Sequence, residues 1–319
     1  MKLKLISSKI YETPKDYSFH LTACTYNFYW FYNGEKLLIP LDFASRVMAM
    51  IFRENSNMLR INIYAPNKID NVDSYFELTV NSIGLYEDLT DFYDYWRRDP
   101  LLSPSFEFLR GFHLRMTSLW NALLIGICQQ NASFRQGWSM LAYLYKLLGF
   151  HVEINDYGYT VFPPSPMDIL NASDQVLRAC KLGYRVNAIR NVAREFVEDK
   201  LSNEMVSRLG EGDLIRIRGV GKYTARLALI LADRRYSLAP IDRWLERIIC
   251  KIYNVSISEA ESEWRRRWNG WCGLAAFLTT IILDAEPLRF ALKRIDEGRL
   301  IPEVNVDKMS PLTLWRVKF

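Results

Sequence analysis

Two glycines, Gly219 and Gly221, flank Val220 in the run "LIRIRGVGKYTARLALIL", and a lone carboxylate, Asp242, follows in "APIDRW". The glycines sit between two helix-like stretches, where a tight turn is easy only for residues lacking a side chain. A helix that starts at such a turn presents unpaired backbone N–H groups and the positive end of its dipole, which together attract phosphate. Lys222 and Thr224 would add a cation and a hydroxyl, with Arg216 and Arg218 on the approach. Val220 is expected to turn inwards and anchor the turn between its helices. The same pattern also serves as a plain connection between helices. It is not a P-loop, which needs GxxxxGK[ST] after a strand, and a Rossmann fingerprint fails for the same reason.

Asp242 has two readings. Close to Pro240 and ahead of "RWLERIICKIY", it can cap a helix. Facing a cleft, the same carboxylate can stabilise a developing positive charge, or orient and deprotonate water. Other chemistry is scarce. There are 3 histidines, and the 5 cysteines are scattered singly, without zinc or iron-sulfur spacing. No metal or cofactor is expected. Unpaired thiols without a secretory leader point to a cytoplasmic protein, and no apolar run long enough for a membrane span is evident.

The elements that must position these residues change character along the chain. "YSFHLTACTYNFYW" and "MLRINIYAP" read as strands, and "YNGEKLLIPL" as a hairpin around an Asn-Gly turn. Helix is expected to begin intervening at "FASRVMAMIFRE". Beyond about residue 70 the apolar spacing becomes three and four, which is helical, with a break between two helices at "QQNAS". These patterns predict an α+β protein: a β-rich antiparallel N-terminal domain over 1–105 and a mostly α-helical body over 106–319. Half the 319 residues are hydrophobic and the formal charge is +5, a folded chain whose charge permits a polyanionic partner.

With these residues in view, "LIRIRGVGKYTARLALIL" followed by "APIDRW" resembles the signature of the helix-hairpin-helix DNA glycosylase superfamily. "LLIGICQQNASFRQGWSMLAYLYKLLG", "KLGYRVNAIRNVAREF" and "WNGWCGLAAFLTTIIL" are similar, in order and spacing, to segments of its 3-methyladenine and 8-oxoguanine branches. The resemblance implies that Asp242 is the catalytic carboxylate, stabilising charge on the deoxyribose as an N-glycosidic bond breaks. It implies damaged double-stranded DNA as the partner, and an enzyme acting as a monomer without a cofactor.

In strand-nicking members, a lysine stands two residues after the last hairpin glycine and forms a Schiff base. Here that place holds Tyr223, and the lysine is Lys222, about 100° away around the helix. The sequence therefore resembles the monofunctional branch, in which water is the nucleophile. Tyr223, with Trp268 and Trp271, is expected to wall a pocket for an extruded, alkylated purine, because aromatic faces hold flat and cationic bases. Aromatic residues at helical spacing are more often core, however, and the two tryptophans fit that reading too. Gln130 and Asn131 are the candidates to fill the hole left in the duplex, and Arg265 to Arg267 read as a solvated face or a phosphate contact. The rivals are a bifunctional 8-oxoguanine glycosylase/lyase and a non-catalytic DNA-binding protein. Against the first stand Tyr223 and Ala276, the latter where a base-reading glutamine would fall. Against the second stands Asp242, which binding phosphate does not need.

Overall fold

The computed structural model describes residues 1–305 and 307–319. Its sheet has six strands: β1 (Lys2–Glu12), β2 (Lys36–Asp42), β3 (Val47–Asn55), β4 (Met58–Ala65), β5 (Phe150–Ile154) and β6 (Gly158–Phe162). Their order is β2-β3-β4-β1-β5-β6. All pairings are antiparallel except β1 with β5, where Lys2 opposes Glu153 and Leu3 opposes Ile154. The sheet thus recruits a hairpin from well beyond residue 105, so strands and helices are not divided by that position.

Local chemistry accounts for the elements that agree with the sequence and for those that do not. At the expected Asn-Gly turn, Asn33 Oδ1 accepts from the Glu35 and Lys36 amides, and Gly34 adopts φ +102°. The segment Val47–Ile51 is strand, not helix. It is buried at every position, which erases the alternation that normally marks a strand. "YSFHLTAC" is in part the helix Phe19–Cys24, whose start is capped by the Ser18 hydroxyl accepting from the Leu21 amide.

Helices from Val72 onwards pack around one continuous apolar core. The helices Leu119–Gln129 and Phe134–Leu148 meet at the expected break, and Ser133 with Gln136 forms a capping box at the second. The first crosses the helix Lys222–Asp233 closely: a Cβ on Gly126 would stand 3.0 Å from Thr224 Cγ2. An aromatic knot fastens the C-terminal helices to the helix Thr90–Arg98, with Phe92 5.8 Å from Trp268 and 5.5 Å from Trp271 between ring centroids. No helix among the described residues is long and apolar enough to cross a membrane.

Candidate active site

The turn between the helices Glu211–Ile215 and Lys222–Asp233 is built as its glycines suggest, but the two glycines do different things. Gly219 has φ +99°, and a Cβ there would lie 2.5 Å from Ala188 Cβ, so any side chain both strains the backbone and collides with the helix Arg185–Val197. Gly221 has ordinary extended geometry with open space where a Cβ would project. Its lack of a side chain leaves room outside the protein rather than inside it. Val220 is buried, and Asn191 Nδ2 donates to the Arg218 carbonyl at 2.9 Å, pinning the turn.

The first helical hydrogen bond after the turn runs from the Ala225 amide to the Gly221 carbonyl, at 2.9 Å. The amides of Lys222, Tyr223 and Thr224 therefore lie at the open, positive end of the helix. Lys222 is 58% exposed there, its Nζ 4.0 Å from Glu261. Thr224 does not join it. That side chain is fully buried, and its Oγ1 donates towards the Gly126 carbonyl and Gln130 Oε1. Two residues of helix turn it from the solvent face onto the helix Leu119–Gln129, so its hydroxyl cannot meet a phosphate.

A cavity of about 690 Å³ opens beside this turn, lined by both Tyr223 and Asp242. Asp242 is the N-cap of the helix Arg243–Tyr253: its Oδ1 accepts from the Leu245 amide at 2.8 Å. Capping and facing the cleft therefore coexist in one carboxylate. Solvent reaches it through the cavity mouth while protein encloses its other sides. That burial pushes its carboxyl above the ordinary range, against the opposing pull of the Leu245 and Trp244 amides. The Tyr223 hydroxyl is pushed up in turn, by burial first and by the charge of Asp242 second. Arg226 holds the loop ahead of Asp242, donating to the Ala239 carbonyl at 2.9 Å while paired with Glu211 and Glu261.

The rest of the wall comes from residues the sequence did not single out. Tyr26 stacks on Trp138, with centroids 5.8 Å apart, and meets Phe277 edge-on at 5.5 Å; Phe134 completes the group. These four rings come from the N-terminal region and two separate helices, and only the crowding of aromatics in "TACTYNFYWFY" hinted at any of them. Trp268 and Trp271 do not line the cavity. Trp268 is 1% exposed, and both belong to the aromatic knot around Phe92, so helical spacing here marked core. Ala276 does line it.

The loop after Leu119–Gln129 stands at the cavity's edge. Gln130 is tied back, its Oε1 accepting from Thr224 and its carbonyl accepting from Tyr184 and Arg185. Asn131 is exposed with φ +49°, and its carbonyl also accepts from Arg185. The arginines of the "EWRRRW" run are occupied: Arg265 pairs with Glu261, and Arg266 and Arg267 with Glu263. Lys308 is the lysine among the cavity's lining residues, and it is ion-paired with Glu286.

The fold thus sets a glycine hairpin between two helices beside an aromatic cavity, with an aspartate capping the next helix into that cavity. No family model matches the chain. It is 30% identical over 170 residues to the DNA-3-methyladenine glycosylase of Bacillus subtilis, matching 50% of this chain and 54% of that protein. The chain thus spans about half the length of that relative. It is 24% identical over 228 residues to a probable N-glycosylase/DNA lyase of Methanothermobacter thermautotrophicus, covering 63% and 70% of the two. Among solved structures, the 3-methyladenine DNA-glycosylase from Archaeoglobus fulgidus superposes with a TM-score of 0.70 at 19% identity, over 92% of this chain and 100% of that one. In sequence the chain is similar to DNA glycosylases over about half its length, and in fold it resembles a 3-methyladenine DNA-glycosylase.

Proposed function

We propose that this protein is a monofunctional DNA glycosylase that hydrolyses the N-glycosidic bond of a damaged purine in duplex DNA. The observation that carries the reading is the shared cavity of Tyr223 and Asp242. Breaking that bond places positive charge on the deoxyribose, and a fixed carboxylate beside it lowers the barrier electrostatically. Asp242 can also accept a proton from the attacking water, since a carboxyl raised by its surroundings is the better base.

The hairpin's open amides and Lys222 hold the backbone phosphates of the duplex. Asn131, exposed at the bend that Arg185 clamps, enters the gap left by the extruded nucleotide, whereas Gln130 is restrained by Thr224. Tyr223 and the rings of Tyr26, Trp138 and Phe277 receive the base by stacking. Two relatives carry 3-methyladenine in their names, so an alkylated purine is the first substrate to test.

A bifunctional reading needs an amine at the sugar. Lys222 lies outside the cavity and Lys308 is held by Glu286, while the position facing inwards belongs to Tyr223. The protein works as a monomer on DNA, and its unpaired cysteines suit a cytoplasmic, nucleoid-associated setting. The decisive experiment is release of free base from duplexes carrying 3-methyladenine, 1-methyladenine, hypoxanthine or 8-oxoguanine. Release of one or more bases is expected; tight duplex binding with no release of any of them would leave a DNA-binding protein only.

A further inference from the structure

The cavity holds a charge that neither the hairpin nor Asp242 explains. Arg115 lies in the extended stretch ahead of the helix Leu119–Gln129 and lines the cavity. Its Nη2 donates to the carbonyls of Thr25, at 2.8 Å, and Tyr26, at 3.3 Å. Those two bonds fix the guanidinium against the backbone of Thr25 and Tyr26. Its Nε and Nη1 donate to no protein atom among the described residues. Among the described residues no carboxylate pairs with it either, whereas Arg226 has Glu211 and Arg294 has Asp284, and the buried Arg185, likewise without a carboxylate, gives donors to the carbonyls of Leu182, Gln130 and Asn131. The groups that surround Arg115 are Cys24, Tyr17 and Tyr32, all neutral at neutral pH, and burial lowers the guanidinium to about 10, well below its ordinary value yet still charged.

Enclosing a cation without an anion is costly, so such a group is informative about what it meets. Asp242, Tyr223, Tyr26 and Arg115 all line this one cavity, and Tyr26 carries one of the carbonyls that hold Arg115. A base held in that cavity shares it with the free N–H donors of Arg115.

We propose that Arg115 determines base specificity: it selects a neutral purine carrying a ring carbonyl, and disfavours purines made cationic by ring alkylation. A carbonyl and an adjacent ring nitrogen match the guanidinium fork, the geometry by which arginine reads guanine edges. A cationic base meets the opposite situation. The four rings attract it, but two unit charges in an enclosed site interact more strongly than a cation with a ring face. This rests on the glycosylase reading and narrows the substrate it leaves open: hypoxanthine and 8-oxoguanine belong to the favoured class, and 3-methyladenine and 1-methyladenine to the disfavoured one.

The test is single-turnover base release from those four duplexes, each rate divided by the spontaneous release of that base, for the wild type, Arg115→Met and Arg115→Lys. Binding of the same duplexes is measured in an Asp242→Asn background, where chemistry does not intervene. The wild type is expected to favour the carbonyl bases. Arg115→Met should lower their release and binding roughly ten- to a hundredfold, the worth of one good guanidinium pair on a base edge. It should leave the cationic bases unchanged or improved, and leave undamaged duplex bound as before; Arg115→Lys should fall between. A wild type that favours the cationic bases, or an Arg115→Met loss equal for all four, overturns the specificity role while the glycosylase reading stands. Release of no base by the wild type overturns both. If Arg115→Met does not fold, the wild-type ranking and the binding ranking in Asp242→Asn still decide.

Discussion

Asp242 caps a helix, and one substitution can separate that task from the catalytic one proposed for it. Asparagine caps a helix as well as aspartate does, so Asp242→Asn keeps the bond to the Leu245 amide and changes only the charge. Stability should therefore move by no more than ~0.5 kcal/mol, whereas Asp242→Ala, which also loses the cap, should lose about 1 kcal/mol. Catalysis should behave differently. Removing a charge aimed at a developing cation typically costs about two to four decades in rate, and three decades correspond to about 4 kcal/mol of transition-state stabilisation.

The sign of the pH effect follows from the raised carboxyl. The folded protein holds the Asp242 proton more tightly than the unfolded chain does. Its contribution to stability is thus fully present below the unfolded value and is lost as pH rises through the folded one. Asp242→Asn has no such proton, so it should match or exceed the wild type in Tm at neutral pH and fall behind only in acid. Base release should follow the ionised form, declining as pH falls through a value above the ordinary carboxylate range. The assay is single-turnover base release across pH, with Kd for duplex from fluorescence anisotropy and Tm from circular dichroism. A folded Asp242→Asn that binds DNA and retains turnover within tenfold of the wild type would refute the reasoning and leave Asp242 a cap alone.

Gly219→Ala should destabilise the fold by at least ~1 kcal/mol, because φ is positive and the new Cβ meets Ala188; Gly221→Ala should fold normally, yet weaken all duplexes alike, as titration of each variant with undamaged DNA will show. Wild-type affinity for undamaged duplex should fall steeply with salt, and a flat response would remove phosphate from the hairpin's role. Tyr223→Leu should lower damaged-base release about tenfold or more while sparing undamaged duplex, since base stacking is worth ~1–3 kcal/mol; equal losses on both would assign Tyr223 to general binding. Arg185→Met should free the carbonyls of Gln130 and Asn131 and lower discrimination between damaged and undamaged duplex without altering the pH profile of release.

The hairpin and Asp242 were legible because their constraints are local. A positive φ, a helix start and a cap each fall within a few residues, and the sequence writes them as Gly219, Gly221 and Asp242. The helix break before Ser133 was readable for the same reason. Residues whose role depends on tertiary neighbours were not. Thr224 lies in the right turn of the right helix, but its direction is set by the close crossing with Gly126. Trp268 carries the same aromatic signal as Trp138, and only packing decides that the first joins the core and the second the cavity. The strand β3 lost its alternation by being buried on both faces, and β5 and β6 are short strands between helices that a helical reading passes over. Arg115 has no sequence signal at all, since what distinguishes it is the absence of a nearby carboxylate in space.

The central claim is that the glycosidic bond is broken by water and not by an amine of the protein. Borohydride added during turnover of a damaged duplex, with strand scission scored beside base release, tests it directly. Free base should accumulate over an intact abasic strand that breaks only on alkali, and no covalent protein–DNA species should be trapped. A trapped adduct, formed in step with nicking and lost in Lys222→Gln or Lys308→Gln but not in Tyr223→Phe, would contradict the account and make the enzyme a glycosylase/lyase.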